Sequence, residues 1–151
     1  MASFNVVNLN GVMEEITRRT NKAVAKIPKM LEAGATVLIE AQKEEAKSLE
    51  VEDTGDFIAS IGASKIKTED GNQYIEVYPQ GKDRKGVSNA EKGFIAEYGR
   101  TSDKYRTKPS KRKPSYKWSS LAPRPWMTAA NEKSKDAVNE AMQKVWQEDD
   151  E

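Results

Sequence analysis

The chain contains no cysteine and no histidine. The first absence removes disulfides, thiolate nucleophiles and thiolate metal ligands together, and fits a reducing compartment. The second removes the usual general base near neutral pH and the commonest transition-metal ligand. Any catalysis would have to rest on carboxylates, lysine or tyrosine, so the expectation is a protein that is no enzyme, with no catalytic, cofactor or metal residues to assign. Aromatic residues are few, 7% against 32% charged, so the apolar positions must be concentrated on a few faces. No run of about 18 apolar residues occurs, which excludes a membrane-spanning helix. The N-terminus lacks the basic-then-apolar order of a signal peptide, and the expectation is a chain that stays in the cytoplasm where it is made.

What is present is charge, unevenly placed. The 151 residues suit one domain with a single modest core, and their formal net charge is +1. From Arg100 to Lys117 there are eight basic residues and one acid, Asp103, a net of +7. The remainder therefore holds 17 basic against 23 acidic residues, a net of −6, and the chain closes on an acidic tail, 148–151. A positive stretch on a negative body is built to meet something charged, either nucleic acid or a copy of itself.

Periodicity predicts an α+β fold. Residues 1–9 alternate apolar positions (Phe4, Val6, Val7, Leu9) and read as a short strand or an N-terminal arm. Asn10 is a candidate N-cap. A helical stripe then runs through Met13, Ile16, Ala23, Val24, Ile27, Leu31, Ala35, Leu38 and Ala46, opposite a face of Lys, Arg and Glu. Pro28 predicts a kink or break in that helix, because proline removes a backbone bond and crowds the preceding turn. Unbroken, residues 11–49 would span roughly 58 Å.

Asp53-Thr54-Gly55 stops the helical region. Residues 63–68 and 74–78 then alternate around Glu69-Asp70-Gly71-Asn72, which predicts a β-hairpin. Residues 93–98, bounded by glycines, read as a strand rather than a helix. Residues 100–121 hold almost no aliphatic side chains and predict a long, flexible basic loop. Pro125 opens a last helix with Trp126, Met127, Ala130, Ala137, Val138, Ala141, Met142, Val145 and Trp146 on one side.

Two motifs invite chemistry. Asp53-Thr54-Gly55 has the letters of an aspartic-protease triplet, but that chemistry needs two carboxylates sharing a proton in a buried loop. Glu50, Glu52 and Asp56 around it make a solvated anionic setting, so a capped turn is the better reading. The basic stretch interleaves Tyr105, Tyr116 and Trp118 with cations, a composition able to grip phosphates and stack on bases. Lys104, Arg106, Lys108, Lys111, Arg112, Lys113, Lys117 and Trp118 are accordingly candidates for a protein interface or for non-specific contact with DNA. A solvated loop is the plain alternative.

Three segments read together carry a resemblance: Asp53-Thr54-Gly55-Asp56-Phe57-Ile58-Ala59-Ser60-Ile61, then Phe94-Ile95-Ala96-Glu97-Tyr98-Gly99-Arg100-Thr101, then Ala122-Pro123-Arg124-Pro125-Trp126-Met127. Behind a long charged helix and ahead of a terminal amphipathic one, they resemble the tailed-phage neck and tail-completion proteins of the gene-product-ten type. Those show a TG-x-x-x-x-S-I turn, a hairpin, an E-[FY]-G-T strand end and P-x-[RP]-[PF]-[FWM] opening a last helix. Thr54, Gly55, Glu97, Tyr98, Gly99, Pro123, Pro125 and Trp126 carry the match as structural positions, and the basic stretch is an insertion in the pattern.

The resemblance implies long N-terminal and C-terminal helices packed on a small antiparallel sheet, and a structural virion protein at the head–tail junction, assembled in the host cytoplasm. The implied partners are other copies in a ring, six by tail symmetry, a tail-tube or tail-terminator protein, and a head-side connector or stopper around the DNA channel. The rival readings are a small nucleic-acid-binding module using residues 100–117 and, behind it, a carboxylate enzyme. Gly99, which ends an apolar element just before the basic stretch, is expected to have a positive φ or a close backbone neighbour.

Overall fold

The computed structural model describes residues 9–51, 55–101 and 119–148. The expected N-terminal arm, Thr54, the basic residues from Lys104 to Lys117 with Trp118, and residues 149–151 of the acidic tail lie outside them. The elements are α1 (Leu9–Ser48), α2 (Asp56–Ala59), β1 (Ile61–Ala63), β2 (Lys67–Glu69), β3 (Asn72–Tyr74), β4 (Val77–Pro79), α3 (Asn89–Tyr98) and α4 (Trp126–Gln147). This is the α+β order expected.

Helix α1 runs unbroken for 40 residues with Pro28 inside it, roughly 60 Å of rod. Of the expected kink or break, the break does not occur, and Asn10 lies within the helix rather than capping it. Beside Pro28 the Lys26 ammonium donates to the carbonyls of Trp146 (3.2 Å) and Glu148 (2.6 Å), tying this part of α1 to the end of α4. Packing of this kind offsets the few kcal/mol that an interior proline costs. The far end closes in a Schellman turn, with Val51 N–H on the Ala46 carbonyl (3.0 Å) and Glu50 N–H on that of Lys47 (3.1 Å). Glu50 takes the left-handed position usually given to glycine, at φ 48°.

Helix α4 lies antiparallel along α1. Gly34 faces Val138 and Met142, Lys133 pairs with Glu45, and Lys26 meets residues 146–148. The seam is made of small residues: a Cβ on Gly34 would stand 3.1 Å from the Met142 side chain, and Ala35, Ala130 and Ser134 are buried. Ala137 and Trp146, expected on the buried side, are exposed. The seam follows positions 126, 130, 134, 138 and 142; residue 137 lies off that line, and Trp146, the next step along it, is half exposed where α4 ends.

The hairpin is made of two paired segments. Strands β1 and β4 pair antiparallel, with Gly62 opposite Tyr78, and β2 pairs with β3, with Thr68 opposite Gln73. The register shifts by one residue between them, so the first strand carries a bulge around residues 65–66. The tip is a two-residue turn with Asp70 at φ 49° and Gly71 at φ 80°, the twist-matched geometry that Asp-Gly favours.

Residues 93–98 are not a strand. They belong to α3, capped by Ser88, whose hydroxyl accepts from the Glu91 N–H. Asn89, Gly93, Ala96 and Glu97 are buried at helical spacing. Gly93 looked like a boundary but is a contact: a Cβ there would lie 3.1 Å from Pro79, 3.2 Å from Trp126 and 3.3 Å from Phe57. The core gathers around these residues as Ala46, Phe57, Ile61, Ala96 and Trp126. Phe57 meets Trp126 edge to face, with centroids 5.5 Å apart.

Candidate assembly surface

The residues that carry the sequence motifs form a knot where α3 ends and α4 begins. Pro125 occupies the N-cap position of α4 and supplies no side-chain cap. Glu97 of α3, only 3% exposed, supplies it instead. Its carboxyl oxygens accept from Met127 N–H (2.8 Å), Thr128 N–H (3.2 Å) and Thr128 Oγ1 (2.5 Å). Two of the unpaired donors of a helix start are satisfied by a residue 30 positions away in the chain. Trp126, fully buried, donates from its indole to the Gly93 carbonyl at 3.2 Å.

Gly99 sits at φ 74°, ψ −178°, a conformation almost confined to glycine. A Cβ there would stand 2.6 Å from the Leu121 carbonyl and 3.0 Å from the Pro123 nitrogen. Both features expected of it are present. Arg100 and Leu121 then exchange backbone hydrogen bonds of 3.0 and 2.9 Å, so the basic stretch leaves and re-enters the fold at one point. Arg124 fastens the returning chain. Its N–H meets the Ala96 carbonyl at 2.7 Å, and its guanidinium donates to the carbonyls of Leu49 and Glu50.

Of the other expected positions, Gly55 is left-handed at φ 74° before α2. Tyr98 is 62% exposed and packs its ring on the 61% exposed Phe94. Ser88, Asn89, Gln42 and Ser134 were missed as buried or capping polar residues. The first was visible as the Ser88-x-x-Glu91 pattern of a helix start; the others show their burial only once the elements are packed.

Two exposed apolar surfaces stand out. By the antiparallel register, α4 ends level with about residue 26 of α1. The preceding turns of α1 therefore run beyond α4 for roughly 25 Å. Val12, Met13, Ile16 and Val24 on them are each more than half exposed. Glu15 here holds Arg18 (2.7 Å) and Arg19 (2.8 Å), and the hydrogen bonds from Arg18 and then Arg19 draw its carboxyl down to about 2.

The second surface is an open groove of about 440 Å³ between β4, α3 and the start of α4, lined by Val77, Tyr78, Pro79, Ala90, Phe94 and Met127 among others. The loop below it is fixed by Asp83, which accepts from the N–H groups of Lys85 and Val87 (2.8 Å each) and pairs with Lys92 at 2.8 Å. The hydrogen bond from Lys92, then that from Val87, lowers the Asp83 carboxyl to about 2.

Among the described residues there is no cluster of acids suited to hold a metal ion, and no helix long and apolar enough to cross a membrane. What the molecule offers is a braced α+β scaffold with two exposed apolar surfaces. The chain belongs to the phage family described as "Bacteriophage HK97-gp10, putative tail-component", whose model matches residues 10–100. That span reaches from α1 through Glu97 and Gly99, and leaves Pro123, Pro125 and Trp126 beyond it. No curated protein and no solved structure matches the chain.

Proposed function

We propose that this protein is a structural component of the virion neck. In this reading several copies form a ring, six by tail symmetry, that completes the tail and joins it to the head connector around the DNA channel. Membership of a phage tail-component family supports the class. The observation that carries the assembly reading is the reach of α1: a charged helix that outruns its partner and leaves four apolar side chains in water. Uncovered apolar surface on a small subunit is completed by neighbours. The role is physical, made of ring contacts and docking to a tail-tube or tail-terminator protein below and a connector or stopper above, and it assigns no catalytic residue.

The 100–117 stretch, net +7, is anchored where Arg100 meets Leu121, and docks on an acidic protein surface in this reading. The experiment is to change Lys111, Arg112 and Lys113 to Gln and to count full heads joined to tails, alongside a density map of the neck. Unjoined heads and tails are the expected result. Normal joining with leaking or misplaced DNA would move the stretch into the channel. A map with this chain absent from the junction, or present as one copy, would overturn the ring.

A further inference from the structure

The two uncovered surfaces lie at opposite ends of one rod. Gln42 of α1 lies 3.4 Å from the carbonyl of Val77, which lines the groove, whereas Ile16 stands 26 residues earlier, roughly 39 Å along the same helix. The helix is continuous between them, so no bend within a subunit brings the exposed start of α1 into its own groove.

We propose that the start of α1 of one copy seats in the groove between β4 and α3 of the next. This rests on the ring reading and names the contact within it. One surface is a bare convex helix and the other an open apolar trough lined by Phe94, against which Tyr98 packs. Met13, Ile16 and Val24, at i, i+3 and i+11, fall along one side of the helix, as the anchors of a groove-bound helix must.

Charge adds a smaller contribution. Residues 11–25 hold Arg18, Arg19 and Lys22 against Glu14 and Glu15, a net of +1; near the trough, Glu91 stands one turn before Phe94, whereas Glu76 on its lining is already paired with Lys67. A plug and a socket at separate places on one chain give a head-to-tail contact, which closes into a ring when the rotation allows it. Two α1 ends laid against each other would instead make a closed pair and leave both troughs empty.

The absence of cysteine makes the test direct. Ile16→Cys and Phe94→Cys replace side chains that are 53% and 61% exposed, and unchanged thermal melting confirms that each variant folds. The double variant, treated with a short bismaleimide both as purified full-length chain and in assembled particles, is expected to give a ladder of dimers, trimers and larger species on a denaturing gel. Mixing the two single variants should give dimers only, and each alone should stay monomeric. Dimers from Ile16→Cys alone would replace the plug-and-socket contact with helix-to-helix pairing. No ladder from particles that hold several copies at the neck would overturn the contact while leaving the ring standing. Particles with a single copy, or none, would remove both.

Discussion

Glu97 and Thr128 are joined twice, side chain to hydroxyl at 2.5 Å and side chain to backbone N–H at 3.2 Å. The last turn of α3 and the first turn of α4 are thereby one hydrogen-bonded unit. Glu97→Ala would leave the first turn of α4 without its cap in a partly buried site, and should cost about 2 kcal/mol. Thr128→Val should cost about 1 kcal/mol. Denaturant unfolding of both single variants and the double should give a coupling of about 1 kcal/mol, and strict additivity would show that the two residues do not act together.

Gly99→Ala should be among the most damaging single changes. The residue must hold φ 74° with a Cβ only 2.6 Å from the Leu121 carbonyl, so either the Arg100–Leu121 pairing opens or the turn is lost. A loss of about 3 kcal/mol or insoluble protein is expected. Melting within a degree of the parent would refute the account of this turn.

Glu50→Gly should stabilise. Glu50 sits at φ 48° in the closing turn of α1, where a side chain costs about 1 kcal/mol relative to glycine. The contacts from Arg124 are to backbone carbonyls and survive the change. A gain of about 1 kcal/mol in urea unfolding is the expected outcome, and a loss would mean that the Glu50 side chain contributes something its position does not reveal.

Acid should loosen the loop before α3. The Asp83 carboxyl is lowered to about 2 in the folded chain, below its ordinary value near 3.9. A depressed carboxyl contributes stability that is present above the unfolded value and fades as pH falls from about 4 towards 2. Asp83→Asn should therefore melt lower than the parent at pH 6, with the gap narrowing at pH 2.5. A gap that stays constant with pH would separate the loop's stability from this charge.

The long helices were legible because their apolar residues recur at 3.6 spacing over many turns, and the hairpin because Asp70-Gly71 admits few other conformations. Helix α3 was misread because Gly93 and Gly99 look alike as letters. One ends the helix with a positive φ, whereas the other is small so that Trp126, Phe57 and Pro79 can close on it. Trp146 shows a second limit: its hydrophobicity placed it in the core, yet it falls in the last turn of α4 and stays half exposed. The exposed start of α1 depends on where α4 stops along it, a register that no local pattern encodes.

The pairing of Arg100 with Leu121 has a consequence for how this chain can change over time. Because the two strands of the opening are stitched together at the base, segment length there is decoupled from the positions of α3 and α4. For a chain segment closed at its base, doubling the length adds only about 0.6 kcal/mol of closure entropy. The gate between Gly99 and Pro123 is thus a permissive site, where residues are gained, lost or replaced by a tag without disturbing the scaffold, while a one-residue insertion on either side of it would not be tolerated.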